Sequence, residues 1–195
     1  IFGAEPHPNY NRILLSPVLA GEMTIQEIVL NELDWYKEKG ITLHTGKQIA
    51  RIDRVNRKVI ADDGTEEAYD RLLIATGSTP FMLPIPGNDL PGVIGYRDIK
   101  DTDEMIKAAK LHKHAVVIGG GLLGLEAANG LKQRGMDVTV VHIGPWLLER
   151  QLDVTAGHLL QKAVEERGIR VITKANTKAI LGEKKVEAVL LEDGT

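Results

Sequence analysis

Three glycines near the middle of the chain restrict what it can fold into more than any other feature: Gly119, Gly121 and Gly124, spaced G-x-G-x-x-G. They follow an apolar run, Ala115 to Ile118, that reads as a strand, and they open an apolar stretch that reads as a helix. A second strand, within MDVTVVH, ends 23 residues after Gly119. The spacing alone is common, but in a strand–loop–helix–strand context each glycine has its own physical reason. Gly119 permits the tight turn, Gly121 removes the Cβ that would block a diphosphate, and Gly124 lets the helix approach the sheet. The N–H groups around Leu122 and Leu123 then face phosphates, with the helix dipole favouring their negative charge. The same glycines would also suit a structural turn that binds nothing.

Glycine punctuation recurs along the chain. LNELDWYKEKG is followed by ITLHT, GLKQRG by MDVTVVH, and LLQKAVEERG by IRVIT, each reading helix, glycine, strand. Thr24 with Glu27 predicts a capping box at the start of the first helix, and Asp153 an N-cap for the third. Helices and strands alternating at this spacing predict parallel sheets with helical crossovers. KEKGITLHT at 37–45 also matches EERGIRVIT at 165–173, and KVIADDGT matches AVLLEDGT further on, which predicts an internal duplication. The registers differ by 128 residues at the first match and 130 at the second, a two-residue difference placed in a hairpin loop. The second copy has a glycine loop that the first lacks, so the chain reads as truncated at both ends.

Twenty-four basic and 27 acidic residues give a net charge of −3 with no dense basic block, which leaves no footprint for nucleic acid or an anionic membrane. The longest apolar stretch, Ala115 to Leu125, is broken by glycines and falls short of the ~18 residues a spanning helix needs. Nothing suggests secretion, and a cytoplasmic location is expected. There is no cysteine, so these residues cannot hold an iron–sulfur cluster, a thiolate zinc site or a redox dithiol. His112 and His114 do not share a helical face, and no metal site is expected. Ser78 precedes Pro80 in an extended segment rather than at a strand-to-helix elbow, which argues against a hydrolase.

Three side chains near the glycine loop stay open. His142 stands where a ribose-binding carboxylate is usual, either as a ribose contact or as a strand-end histidine, so NADH against NADPH is undecided. Glu126, read as lying in the first helical turn, is either a charge favoured by the helix dipole or a group beside the nicotinamide. Trp146 either covers an adenine or packs.

GGGLLGLEAA, together with LLIATGSTP upstream, resembles the flavoproteins of the pyridine nucleotide-disulfide oxidoreductase-like superfamily, in which an NAD(P) domain is inserted into an FAD domain. The resemblance covers nearly the whole chain. Within that superfamily, FGAEPHPNYNRILLSPVLAGE and VHIGPWLLERQLD are similar to the N-terminal part of the large subunits of assimilatory NAD(P)H-dependent nitrite reductases. The implied fold is α/β with two Rossmann-like dinucleotide-binding units, both incomplete: an FAD part at 1–80 and an NAD(P) part at 81–195. The resemblance places Glu5 at the FAD adenosine ribose, Arg12 and Ser16 along the flavin, and Thr76 and Gly77 at the turn leaving the FAD domain. It places Gly119, Gly121, Gly124 and Glu126 in the NAD(P) site.

The implied activity is hydride transfer from NAD(P)H to FAD, with electrons passing to sirohaem and iron–sulfur centres outside these residues and reducing nitrite to ammonia. Because the cofactors carry that chemistry, no catalytic acid or base is assigned. The partners implied are a nicotinamide dinucleotide and downstream redox centres, with a homodimer left open. The missing cysteines argue against disulfide and peroxide reductases. A reductase of rubredoxin or ferredoxin and a non-catalytic dinucleotide module remain as alternatives, and these 195 residues alone are expected to bind NAD(H) weakly and FAD poorly or not at all.

Overall fold

A computed structural model describes all 195 residues. The strands in chain order are β1 (Phe2–Gly3), β2 (His44–Thr45), β3 (Ile49–Asp53), β4 (Lys58–Ala61), β5 (Glu66–Ala68), β6 (His114–Ile118), β7 (Asp137–Val141), β8 (Arg170–Ile172), β9 (Thr177–Leu181) and β10 (Ala188–Leu191). The helices are α1 (Leu15–Ala20), α2 (Ile25–Ile28), α3 (Leu33–Glu38), α4 (Ile99–Leu111), α5 (Leu122–Gln133) and α6 (Val154–Glu166). The residues fall into two compact units, Ile1–Arg12 with Gln26–Ser78, and Ile13–Ile25 with Thr79–Thr195. No helix is long and apolar enough to cross a membrane.

In the first unit β1 and β2 pair in parallel, with Phe2 stacked on His44 at 4.4 Å between ring centres. The helix expected from Thr24 to Gly40 is broken into α2 and α3. Backbone pairing breaks it: Asn11 N–H donates to the carbonyl of Ile28 at 2.8 Å, Leu30 N–H donates to that of Asn9 at 2.9 Å, and Val29 bridges to Tyr10. Those bonds compete for groups that a continuous helix would use, and burial of Ile28 fixes the break.

The duplication is visible in backbone geometry. Each copy runs helix, glycine in the left-handed region, parallel strand, antiparallel hairpin, with Gly40 at φ 66° and Gly168 at φ 78°. The hairpins end alike: Ala61 N–H bonds Thr65 O and Gly64 N–H bonds Ala61 O, just as Leu191 bonds Thr195 and Gly194 bonds Leu191. Asp63 and Asp193 each accept from the backbone N–H two residues on, both at 3.0 Å. The extra two residues do lie in the hairpin loop, 182–187 against 54–57.

The second unit holds a three-stranded parallel sheet in the order β6-β7-β8, with α5 and α6 as the crossovers, so the α/β class holds. Val138, Val140 and Val141 of β7 are buried in its centre. The core joins Val138 and Val140 to Leu19, Met105, Ala127, Ala128, Leu131 and Ile169. Residues 13–25 belong here because α1 lays fully buried Leu19 against Gly130 of α5, where a Cβ would come 2.7 Å from Leu19 Cγ. Arg134 fastens the end of α1, donating through Nε to Leu19 O at 2.6 Å and through Nη2 to Val18 O at 3.0 Å. Asp153 caps α6 as predicted, accepting from Ala156 N–H at 2.9 Å. The capping box of α4 was not foreseen: Asp98 accepts from Asp101 N–H at 2.9 Å while Asp101 accepts from the backbone N–H of Asp98.

Candidate dinucleotide-binding site

The glycine loop sits between β6 and α5, as the sequence predicts. Gly119 takes φ 120°, which only glycine adopts readily, and its N–H donates to Val141 O at 2.8 Å, fastening the loop to β7. Gly121 is the N-cap of α5 in extended backbone and supplies no side chain to its first turn. The N–H groups of Leu122 and Leu123 therefore open α5 without a side-chain acceptor, and both residues are more than half exposed. A Cβ on Gly121 would meet no heavy atom within 4 Å, whereas one on Gly124 would lie 2.0 Å from Gly119 O. The two glycines thus serve different ends. Gly124 is required by the loop's own backbone, while the protein itself leaves the space before Gly121 open.

His142 is buried and has both ring nitrogens engaged inside the protein. Gly120 N–H donates to Nδ1 at 3.1 Å, and Nε2 lies 2.8 Å from Glu149 Oε2. A backbone N–H can only donate, so Nδ1 carries the lone pair and Nε2 keeps the proton, donating a hydrogen bond to the carboxylate. Glu149 escaped the sequence reading; its signal was an acid seven residues beyond a strand end that lacks one. Its carboxyl is held below the ordinary value: partial burial works to raise it, but bonds from its own backbone N–H and from His142 prevail. Trp146 packs, with its ring where a Cβ on Gly157 would intrude and its Nε1 donating to Leu152 O at 3.0 Å.

Glu126 is the fifth residue of α5, and the first turn holds no acid, so the dipole reading of it fails. Its partner is instead Ser16, whose Oγ donates to Glu126 Oε2 at 2.6 Å and lies 3.2 Å from the Tyr96 hydroxyl. Two residues expected at the cofactors, Ser16 and Glu126, are thus brought together, and Tyr96 joins them without having been expected. Burial pushes the Tyr96 phenol above its ordinary value, with the Glu126 charge adding and the Ser16 bond opposing. Ser16, Leu122, Leu125 and Glu126 line one open groove along α5.

In the first unit Glu5 and Arg12 are brought together: Arg12 Nη2 bonds one oxygen of the Glu5 carboxylate and Tyr10 the other, at 2.5 Å. The Arg12 guanidinium also lies 4.9 Å from the Tyr10 ring centre. Thr76 and Gly77 lie in an exposed segment without helix or strand, Gly77 at φ 68°.

The profile of the pyridine nucleotide-disulphide oxidoreductases matches residues 1–195. Nitrite reductase [NAD(P)H] of Bacillus subtilis (strain 168) is 55% identical over the whole chain, which covers 24% of that protein. The assimilatory nitrate reductase electron transfer subunit of the same organism is 48% identical, with 25% of it covered. Among solved structures, a ferredoxin reductase from Rhodopseudomonas palustris superposes with a TM-score of 0.92 at 28% identity, over the whole chain and 48% of its own. The chain therefore spans about a quarter of the curated relatives named here. With the profile matched from end to end around this glycine loop, the chain belongs to the pyridine nucleotide-disulphide oxidoreductase family.

Proposed function

We propose that this chain is the nicotinamide-nucleotide-binding part of a longer flavoprotein reductase that takes hydride from NAD(P)H and sends the electrons on to reduce nitrite. The observation that carries this is the space before Gly121, with the N–H groups of Leu122 and Leu123 opening onto it uncapped. A diphosphate fits that cradle, because its oxygens would accept from those amides and gain from the dipole of α5. Support for nitrite as the final acceptor comes from the 55% identical nitrite reductase; sirohaem and iron–sulfur centres belong, in this reading, to the rest of the longer protein. A reductase of rubredoxin or ferredoxin has weaker support, at 28% identity to the ferredoxin reductase.

In this proposal residues 1–80 belong to the FAD part and 81–195 to the NAD(P) part, and residues 13–25 of the former pack within the second compact unit. None of the first unit's glycines stands in a G-x-G-x-x-G run, so these residues offer an FAD diphosphate no such loop, while Glu5 accepts from Tyr10 and Arg12. The flavin of the longer protein supplies the hydride acceptor and the means of releasing electrons singly. The residues here bind and orient. The glycine loop fixes the diphosphate, and the groove bordered by Leu122, Leu125, Glu126 and Ser16 receives the nicotinamide end. Ser16 holds the Glu126 carboxylate in one orientation there, and no cysteine is available for a thiol step.

Mixing the longer protein with NADH in the absence of oxygen tests this. Loss of the flavin's visible absorbance, and its return on adding nitrite, is the expected result. A flavin that NADH leaves oxidised would overturn the proposal, and one reduced but not reoxidised by nitrite would reject nitrite as the acceptor.

A further inference from the structure

The strand-end position that usually carries a ribose-binding acid is filled here by His142, whose nitrogens are both committed to the protein. The imidazole therefore offers a ribose nothing directly. What it does instead is carry a carboxylate. Nδ1 is anchored on Gly120 of the glycine loop, and Nε2, on the opposite side of the ring, holds Glu149. The acid thus stands one imidazole's width beyond Gly120, with its side chain about a third exposed, at 32%.

The segment that delivers Glu149 is fastened to the same loop. Leu148 N–H donates to Gly120 O at 3.0 Å, and Leu148 takes φ 55°, a conformation that costs a leucine something and needs such an anchor. Fully buried Leu147 occupies the space where a Cβ on Gly120 would fall, 2.5 Å from its Cδ2. Gly144 leaves room for the pair, since a Cβ there would lie 2.6 Å from His142 Nε2 and 3.0 Å from Glu149 Cδ. Residues 144, 147 and 148 thus fix where the carboxylate stands relative to the phosphate cradle.

We propose that Glu149, positioned by His142, replaces the missing strand-end acid: it accepts from the adenosine ribose hydroxyls and repels a 2′-phosphate, so that the site takes NADH in preference to NADPH. This rests on the reading of the glycine loop as a dinucleotide site and adds to it which nucleotide the site selects. A carboxylate that accepts from a 2′-hydroxyl gains a charge-assisted bond, and beside a 2′-phosphate it meets a like charge. Arg150, adjacent and exposed, would pull the other way, as would Lys174, whose backbone N–H donates to Gly144 O at 2.9 Å.

Equilibrium titrations of the purified protein with NADH and with NADPH test the inference, on the unsubstituted protein and on E149Q, which keeps an acceptor for His142 Nε2 and loses the charge. The expected result is tighter binding of NADH by the unsubstituted protein and a preference that narrows by about tenfold in E149Q, the worth of a hydrogen bond to a charged group. An unchanged ratio in E149Q, with both nucleotides still bound, would overturn the inference alone. Binding of neither nucleotide by the unsubstituted protein would overturn the dinucleotide reading and the inference with it. A second measurement needs no variant: as salt rises, NADPH should gain on NADH because the repulsion is screened. NADPH losing ground would mean that Arg150 and Lys174 dominate, and would overturn the inference.

Discussion

Gly121 and Gly124 belong to one motif, yet the structure assigns them opposite costs. Gly121 has φ −85° and ψ −178°, which alanine adopts without strain, and its added Cβ would meet nothing within 4 Å. Gly121→Ala should therefore leave the fold intact or stabilise it by about 0.4–1 kcal/mol, through the smaller freedom of the unfolded chain. Its methyl group would nonetheless stand where the diphosphate comes against the backbone. A loss of tenfold or more in nucleotide affinity is expected, roughly 1.4 kcal/mol. Gly124→Ala should behave in reverse. Its Cβ would lie 2.0 Å from Gly119 O, a backbone atom that no rotamer change can move, so the loop must shift. Overpacking of that kind costs about 1–3 kcal/mol. In a chain this size each kcal/mol lowers Tm by roughly 2–4 °C. Thermal unfolding followed by circular dichroism, with an NADH titration of each variant, reads both quantities. The reasoning is refuted if Gly121→Ala melts as early as Gly124→Ala, or if it binds NADH as tightly as the unsubstituted protein.

Three further outcomes are expected. Asp63 is held well below the ordinary carboxylate value by Lys47, with the backbone N–H of Thr65 adding. Because the folded value is depressed, its stabilising effect is present above the unfolded value of 3.8 and is lost as pH falls through the folded one. The stability difference between the protein and D63N should shrink on acidification below that value, and a difference that grows would contradict this. Arg134→Ala removes the two bonds that close α1 on α5 and should cost about 1–3 kcal/mol in urea unfolding. Ser16→Ala takes from Tyr96 the bond that opposes its upward shift. Its phenol should then titrate at still higher pH in an ultraviolet titration; a downward move would contradict the Ser16–Tyr96 contact.

The legible parts of the fold were those written in local chemistry. A glycine after a helix, Asp153 before one and the alternating strands all act within a few residues, and the structure reproduces them. The matched hairpins were legible too, since the D-G-T turn builds the same bonds at Asp63 and Asp193. What sequence reasoning missed depends on distant pairing. The break between α2 and α3 comes from residues 9–11 competing for the backbone of residues 28–30, which no helix propensity announces. Tyr96 reaches Ser16 from 80 residues away, and α1 joins the second unit because Gly130 leaves room for Leu19. His142 was correctly marked as a departure, but its meaning depends on Glu149 folding back upon it, a contact of tertiary origin.

The most direct test is to titrate isotopically labelled protein with NADH and follow each backbone amide by nuclear magnetic resonance. The account predicts saturable shifts at Gly121, Leu122 and Leu123, with the β9–β10 hairpin unmoved. NADH binding that shifts other amides and leaves those three in place would contradict it.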